Sequence, residues 1–172
     1  MGRIVKHILF LLAAVSIIVA VYSCNDDGCE GNSSSLPLAG FYSSSSKKSI
    51  SVDSISVYGI GMIGDTTLIN CGKSITQTYL PLNISDTISN FVFRYDQKVL
   101  ANSGVTDTLS IVYNKTPYFY SSDCGAMYVF DIISYETSNN LIDSVQFATS
   151  RIDNTNAENI KIFFRVREEG QE

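Results

Sequence analysis

The sequence predicts an all-β fold, a single antiparallel β-sandwich of Ig-like or related type, and three observations predict it. Short runs rich in Val, Ile, Thr, Tyr and Phe recur along the chain. Clusters of Asn, Asp, Gly and Ser separate them about every 8–12 residues, the spacing of sandwich and barrel strands. Within several runs apolar and polar residues alternate with the period of two that sends successive side chains to opposite faces. Beyond residue 24, no stretch sustains helical periodicity over about ten residues.

The elements follow in order. Arg3 and Lys6 precede an apolar run over 8–22, interrupted only by Ser16. A basic start and an apolar stretch too short to span a bilayer comfortably have the form of a signal peptide. The run ends at Val21-Tyr22-Ser23-Cys24, where composition turns abruptly polar. A small residue directly before Cys is what lipoprotein signal peptidase recognises, so Cys24 is the expected lipidation site. Residues 1–23 are then a cleaved signal peptide, 24–35 a lipidated Cys with a polar tether, and 36–168 the β-sandwich domain. Acyl chains at Cys24 make a stable anchor, each buried CH₂ contributing about 0.8 kcal/mol. The tether is small and polar and cannot bury apolar surface.

Strand signals then follow at 36–42, 49–58, 66–70, 76–82, 87–95 and 98–101, and at 106–113, 117–121, 126–135, 141–152 and 159–166. In 49–58 the apolar phase changes between Val52 and Ile55, which predicts a bulge or kink near Asp53. The last run is the clearest. Ile160, Ile162, Phe164 and Val166 point one way, while Lys161 and Arg165 point the other with Phe163 between them.

Composition excludes several chemistries. The chain holds one histidine, His7, which falls in the signal peptide, and no tryptophan. The mature chain therefore offers no Ser-His-Asp triad, no Cys-His dyad and no imidazole metal site, and catalysis is not expected. Loss of Arg3 and Lys6 takes the formal charge from −5 to −7, which argues against nucleic acid or anionic lipid as a partner. No cofactor or metal is expected. Besides Cys24 the chain has Cys29, Cys71 and Cys124, which allow three single-disulfide pairings in an oxidising compartment. Cys29 with Cys124 is favoured because it pins the tether to the domain. A loop of about 100 residues gains roughly 4–5 kcal/mol on the chain-entropy account.

Other constellations have ordinary explanations. Gly59-Ile60-Gly61-Met62-Ile63-Gly64 matches a dinucleotide fingerprint, but strand-like residues follow where a helix must open, so a turn is expected. Residues 153–158 look like a calcium loop and lack its glycine and distal glutamate, so a polar turn is expected there too. Tyr113, Tyr118, Phe119, Tyr120 and Tyr128 could stack on sugars; core or cross-strand packing is favoured. Lys47 and Lys48 are expected to blunt a sheet edge.

An Asp-Ser/Thr step before an aliphatic residue or Thr occurs five times, at Ser54, Thr66, Thr87, Thr108 and Ser144. It resembles the acceptor pattern of the O-glycosylation system of Bacteroidota; the alternative is that each step begins a strand after a turn. Asp26 and Asp27 after Cys24 resemble the surface-export signal of Bacteroidota lipoproteins. Further motifs are Cys29-Glu30-Gly31, Leu80-Pro81-Leu82, Asp107-Thr108-Leu109-Ser110-Ile111-Val112-Tyr113, Ser122-Asp123-Cys124-Gly125 and Ile160-Lys161-Ile162-Phe163. Together they resemble an uncharacterised lipoprotein family of that phylum, a domain of unknown function; Ala126 and Cys71 depart from its pattern. The resemblance implies an exported all-β domain and supports the Cys29–Cys124 pairing.

The expected role is an outer-membrane-anchored, outward-facing, non-catalytic binding or envelope-accessory module, with a glycan or an envelope protein as partner. The alternative orientation faces the periplasm. The alternative roles are a structural or fimbrial subunit assembling through edge strands, and a carboxylate-based enzyme.

Overall fold

The computed structural model describes residues 2–3, 35–61, 66–96, 104–121, 125–155 and 157–166. Cys24, Cys29, Cys124 and the predicted strand at 98–101 lie outside them. The strands are β1 (Leu38–Ser43), β2 (Ile55–Ile60), β3 (Thr67–Gly72), β4 (Gln77–Tyr79), β5 (Ile88–Tyr95), β6 (Thr106–Ser121), β7 (Gly125–Thr137), β8 (Ile142–Phe147), β9 (Arg151–Ile152) and β10 (Glu158–Phe164). They form two sheets, β4-β1-β10-β8 and β3-β2-β5-β6-β7-β9. The fold is the expected all-β sandwich.

The core is what the alternation dictates. Ala39 and Phe41 of β1, Ile160, Ile162 and Phe164 of β10, and Ile142 and Val145 of β8 are buried in one sheet. Facing them are Ile55, Val57, Phe91, Phe93, Leu109, Ile111 and Tyr113. Phe41 meets Phe164 edge-on at 5.2 Å, and Tyr113 meets Phe130 at 5.3 Å. Such T-shaped pairs add about 0.5–1.5 kcal/mol beyond their burial.

One pairing departs from the expected antiparallel pattern. β1 lies parallel to β10, with Phe41 opposite Ile162 and Ser43 opposite Phe164. Parallel neighbours need a long crossover, and here everything between the first and last strands supplies it. β1 therefore starts beside the start of β10, and both strands finish at the opposite end of the sheet. Leu38 N–H donates to the Asn159 side-chain oxygen at 3.2 Å, which fixes that register.

Three boundaries differ for local reasons. The kink predicted near Asp53 is present: Ser54 has φ 54°, and 49–58 divides into isolated bridges at Ser49 and Val52 followed by β2. The runs 106–113 and 117–121 are one strand. Pro117 is tolerated because β5 stops pairing with β6 at Val112, so its missing N–H faces no partner strand among the described residues. The run 141–152 is two strands, because the chain leaves the four-stranded sheet after Phe147 and joins the six-stranded one at Arg151. Of the Gly59–Gly64 motif, Gly59 and Ile60 end β2 and Gly61 takes φ 76°, while Met62, Ile63 and Gly64 lie outside the described residues. At 153–158, Thr155 N–H donates to Asp153 at 2.8 Å in a polar turn.

Candidate functional site

The most heavily bonded side chain is Asp107, at an inward position of β6 that its neighbours Leu109 and Ile111 fill with hydrocarbon. It is 0% exposed. Its Oδ1 accepts from the Asn140 N–H at 2.7 Å and the Ser138 hydroxyl at 2.8 Å. Its Oδ2 accepts from the Leu141 N–H at 2.7 Å, the Ile142 N–H at 2.9 Å and the Tyr95 phenol at 3.3 Å. The main-chain donors and Ser138 belong to the turn that carries the chain from β7 into the start of β8, and Tyr95 comes from β5, so one carboxylate ties the two sheets together. From outside, Arg165 donates to the Asn139 and Asn140 carbonyl oxygens at 2.6 and 3.0 Å and pairs with Asp143 at 3.0 Å. A buried carboxylate so occupied holds structure and has no open valence toward a substrate.

Tyr95 is shaped by the same group. Burial first, then the charge and hydrogen bond of Asp107, push its phenol far above the ordinary tyrosine range. The folded state keeps this proton where the unfolded chain, titrating near pH 10, gives it up. The resulting stability is complete below about pH 10 and is lost as pH rises beyond it. Tyr95→Phe should therefore flatten the alkaline limb of a stability-versus-pH curve by about 1.4 kcal/mol per pH unit, measured by urea unfolding between pH 9 and 11. An unchanged slope would refute the assignment.

The five Asp-Ser/Thr steps are not brought together. Ser54, Thr108 and Ser144 are half-buried, whereas Thr66 and Thr87 are exposed. Several of their aspartates organise turns: Asp53 accepts the Ser74 N–H at 2.6 Å, Asp86 accepts the Thr87 N–H at 2.7 Å, and Asp107 acts as described. The turn-then-strand alternative thus describes Asp53 and Asp86, whereas Asp107 and Asp143 lie inside β6 and β8. Cys71 is an exposed free thiol on β3.

A surface with binding character lies on the outer face of the four-stranded sheet. Register sets Tyr42, Phe163 and Ser144 in one row and Gly40, Lys161 and Gln146 in the next. The side chains border an open groove of about 420 Å³. The Tyr42 and Phe163 rings are 5.7 Å apart. The Lys47 ammonium lies 4.6 Å from the Phe163 centroid, and that of Lys161 lies 5.2 Å from the Tyr42 centroid. Lys47 thus covers an aromatic face, in contrast to its expected edge position. The Tyr42 hydroxyl sits 2.9 Å from both Glu158 carboxylate oxygens, and that hydrogen bond, ahead of burial, raises its pKa. A Cβ at Gly40 would meet the Glu158 carboxylate and oblige it to move from its place beside Tyr42. Two cations, an amide and a hydroxyl can hold a polar ligand by charge and hydrogen bonds, while the Phe163 ring lies nearly buried beneath Lys47. The sequence run at 159–166 signals only part of this, because the register of three strands assembles the rest.

The aromatic cluster divides. Tyr113 is buried and its hydroxyl is 2.8 Å from both Ser89 Oγ and the Asn83 carbonyl oxygen. Tyr118, Phe119, Tyr120 and Tyr128 are exposed instead, so of the core and cross-strand placements expected the core one does not hold for them. They sit on the outer half of the β6–β7 hairpin, a two-stranded ribbon past the end of β5. Beneath the ribbon is a cavity of about 220 Å³ lined by Ser35, Leu36, Leu82, Ile84 and Met127 among others. The Ser35 hydroxyl lies 4.0 Å from the Met127 sulfur, and Lys115 Nζ donates to the Ile84 and Asp86 carbonyl oxygens at 2.7 and 3.1 Å.

Among the described residues no three potential metal-ligating side chains converge. A model of a family of unknown function, DUF6452, matches residues 54–164. No curated protein and no solved structure matches the chain.

Proposed function

The chain belongs to this family of unknown function, and on that premise we propose that it is a lipid-anchored, non-catalytic binding module of the outer membrane, facing outward. The observation that carries the reading is the arrangement of its N-terminal part. An apolar run ends at Cys24, a polar stretch follows, and β1, an interior strand of its sheet, begins at Leu38. A folded domain hung on a short tether from an acylated cysteine is organised in this way. The groove beside Tyr42 and Phe163 is the surface for a glycan or envelope-protein partner. The engagement of Asp107 with its own backbone supports reading the most buried acid as structural. Thr66 and Thr87, being exposed, are the acceptor positions open to glycosylation without unfolding. A subunit that assembles through its strands draws support from the β6–β7 ribbon, whose β6 side has no partner strand beyond Val112 among the described residues.

Protease shaving of intact cells tests the proposal. The wild-type chain should be stripped from unopened cells, and Cys24→Ser should be released in soluble form. A wild type that resists until lysis faces the periplasm, and a Cys24→Ser chain that stays membrane-bound refutes lipid anchoring. Concentration-dependent oligomers in light scattering would favour the assembling subunit.

A further inference from the structure

We infer that the exposed aromatic ribbon of β6 and β7 is a bilayer-docking surface that seats the domain on the membrane holding its anchor. The inference rests on the anchoring proposed for Cys24. Three features of the ribbon point to a lipid surface as its occupant.

The first is its chemistry. Phe119 is 66% exposed, with Tyr128 exposed on the same side of the ribbon and Tyr118 and Tyr120 exposed on the other. Phenolic rings have an apolar body and a polar tip, which suits the headgroup boundary, where aromatic residues collect in membrane proteins. Patches of this kind on a soluble surface mark contact with a protein or a membrane.

The second is charge. In a chain of formal charge −5, the sequence from 116 to 130 carries one charged residue, Asp123, in the segment connecting the two strands. A ribbon with a single charge is what an acidic domain can bring close to anionic headgroups with little repulsion. A protein partner imposes no such requirement, and polar rims are common at protein interfaces.

The third is where the tether ends. Ser35 lies against Met127 of the ribbon itself. From Cys24 to Ser35 the chain spans at most about 40 Å when extended and roughly 20 Å when relaxed. The aromatic rings are thus confined near the bilayer, and the second contact forms at high effective concentration. A two-stranded ribbon is marginal in water, so a hydrocarbon boundary also supplies the cover it lacks. Docking by this end would direct the far end of β1, with Tyr42 and Phe163, away from the membrane.

The chain has no tryptophan, so one substitution makes a reporter. The full lipidated chain carrying Phe119→Trp is reconstituted into vesicles of phosphatidylethanolamine and phosphatidylglycerol, some with brominated acyl chains. Val166→Trp, beyond the far end of β10, is the comparison, and Tyr128→Trp repeats the measurement if the first variant fails to fold. The expected result is about twofold quenching by brominated lipid at position 119, as for an interfacial aromatic, and none at 166. Flotation with the vesicles separately reads the anchor. A floating protein whose Phe119→Trp signal ignores bromine overturns the docking while leaving the anchor intact. Emission that follows protein concentration and ignores bromine overturns it in favour of a second copy. Failure to float, identical in Cys24→Ser, overturns both.

Discussion

Asp107→Ala is expected to lower the unfolding free energy by about 3–5 kcal/mol, a large part of the 5–15 kcal/mol that holds an ordinary domain. The substitution deletes an acceptor for three main-chain N–H groups and two hydroxyls at a position with no solvent exposure. A buried donor left without a partner costs about 1–3 kcal/mol, and the shared turn makes the losses less than additive. Asn is no conservative replacement. Donors converge on both carboxylate oxygens, so one of them would meet an amide NH₂ that can only donate. Urea unfolding at an unchanged m value should give about 2–4 kcal/mol for Asp107→Asn. A loss below about 1 kcal/mol for the Ala variant would show that the turn finds other acceptors.

The second large effect concerns where the domain starts. The family match opens at residue 54, yet β1 ends at Ser43 and lies between β4 and β10. A chain restricted to 54–164 loses Ala39 and Phe41 from the core, strips β4 of its sheet partner and turns β10 into an open edge. It should unfold without a sharp transition and aggregate, as exposed flat edges do. A chain starting at Ser35 should unfold cooperatively. Phe41→Ala is the milder version: removing a fully buried ring packed on Phe164 should cost about 3–5 kcal/mol. A cooperative melt with dispersed amide resonances from 54–164 alone would sink this account of β1.

Local pattern made part of this legible. The alternation in 159–166 placed Ile160, Ile162 and Phe164 inward, and the phase change after Val52 located the bend at Asp53. Periodicity assigns faces, however, and carries no information about partners. The parallel pairing of β1 with β10 joins segments at opposite ends of the domain, and no local signal encodes it. The division of 141–152 into β8 and β9 was hidden because Ala148-Thr149-Ser150 contains neither Gly nor Pro. Pro117 suggested a break because the absence of a neighbouring strand cannot be read from sequence. Asp107 did leave a signal, since an acid in phase with Leu109, Ile111 and Tyr113 is a buried carboxylate in need of donors. The groove left almost none. Tyr42, Ser144, Gln146, Lys161 and Phe163 become neighbours only through three strands in register.

The direction of β1 also sets how the domain bears mechanical load. With the anchor proposed at Cys24, a pull would enter at Leu38 and run along the strand, while resistance from a partner in the groove would act at Tyr42 and Phe163, near the opposite end. β1 is bonded to β10 on one side and to β4 on the other. Load along the strand strains those hydrogen bonds together, in shear, whereas a perpendicular pull would open them one after another like a zipper. The proposed attachment point would thus turn an ordinary β-strand into a force-bearing joint.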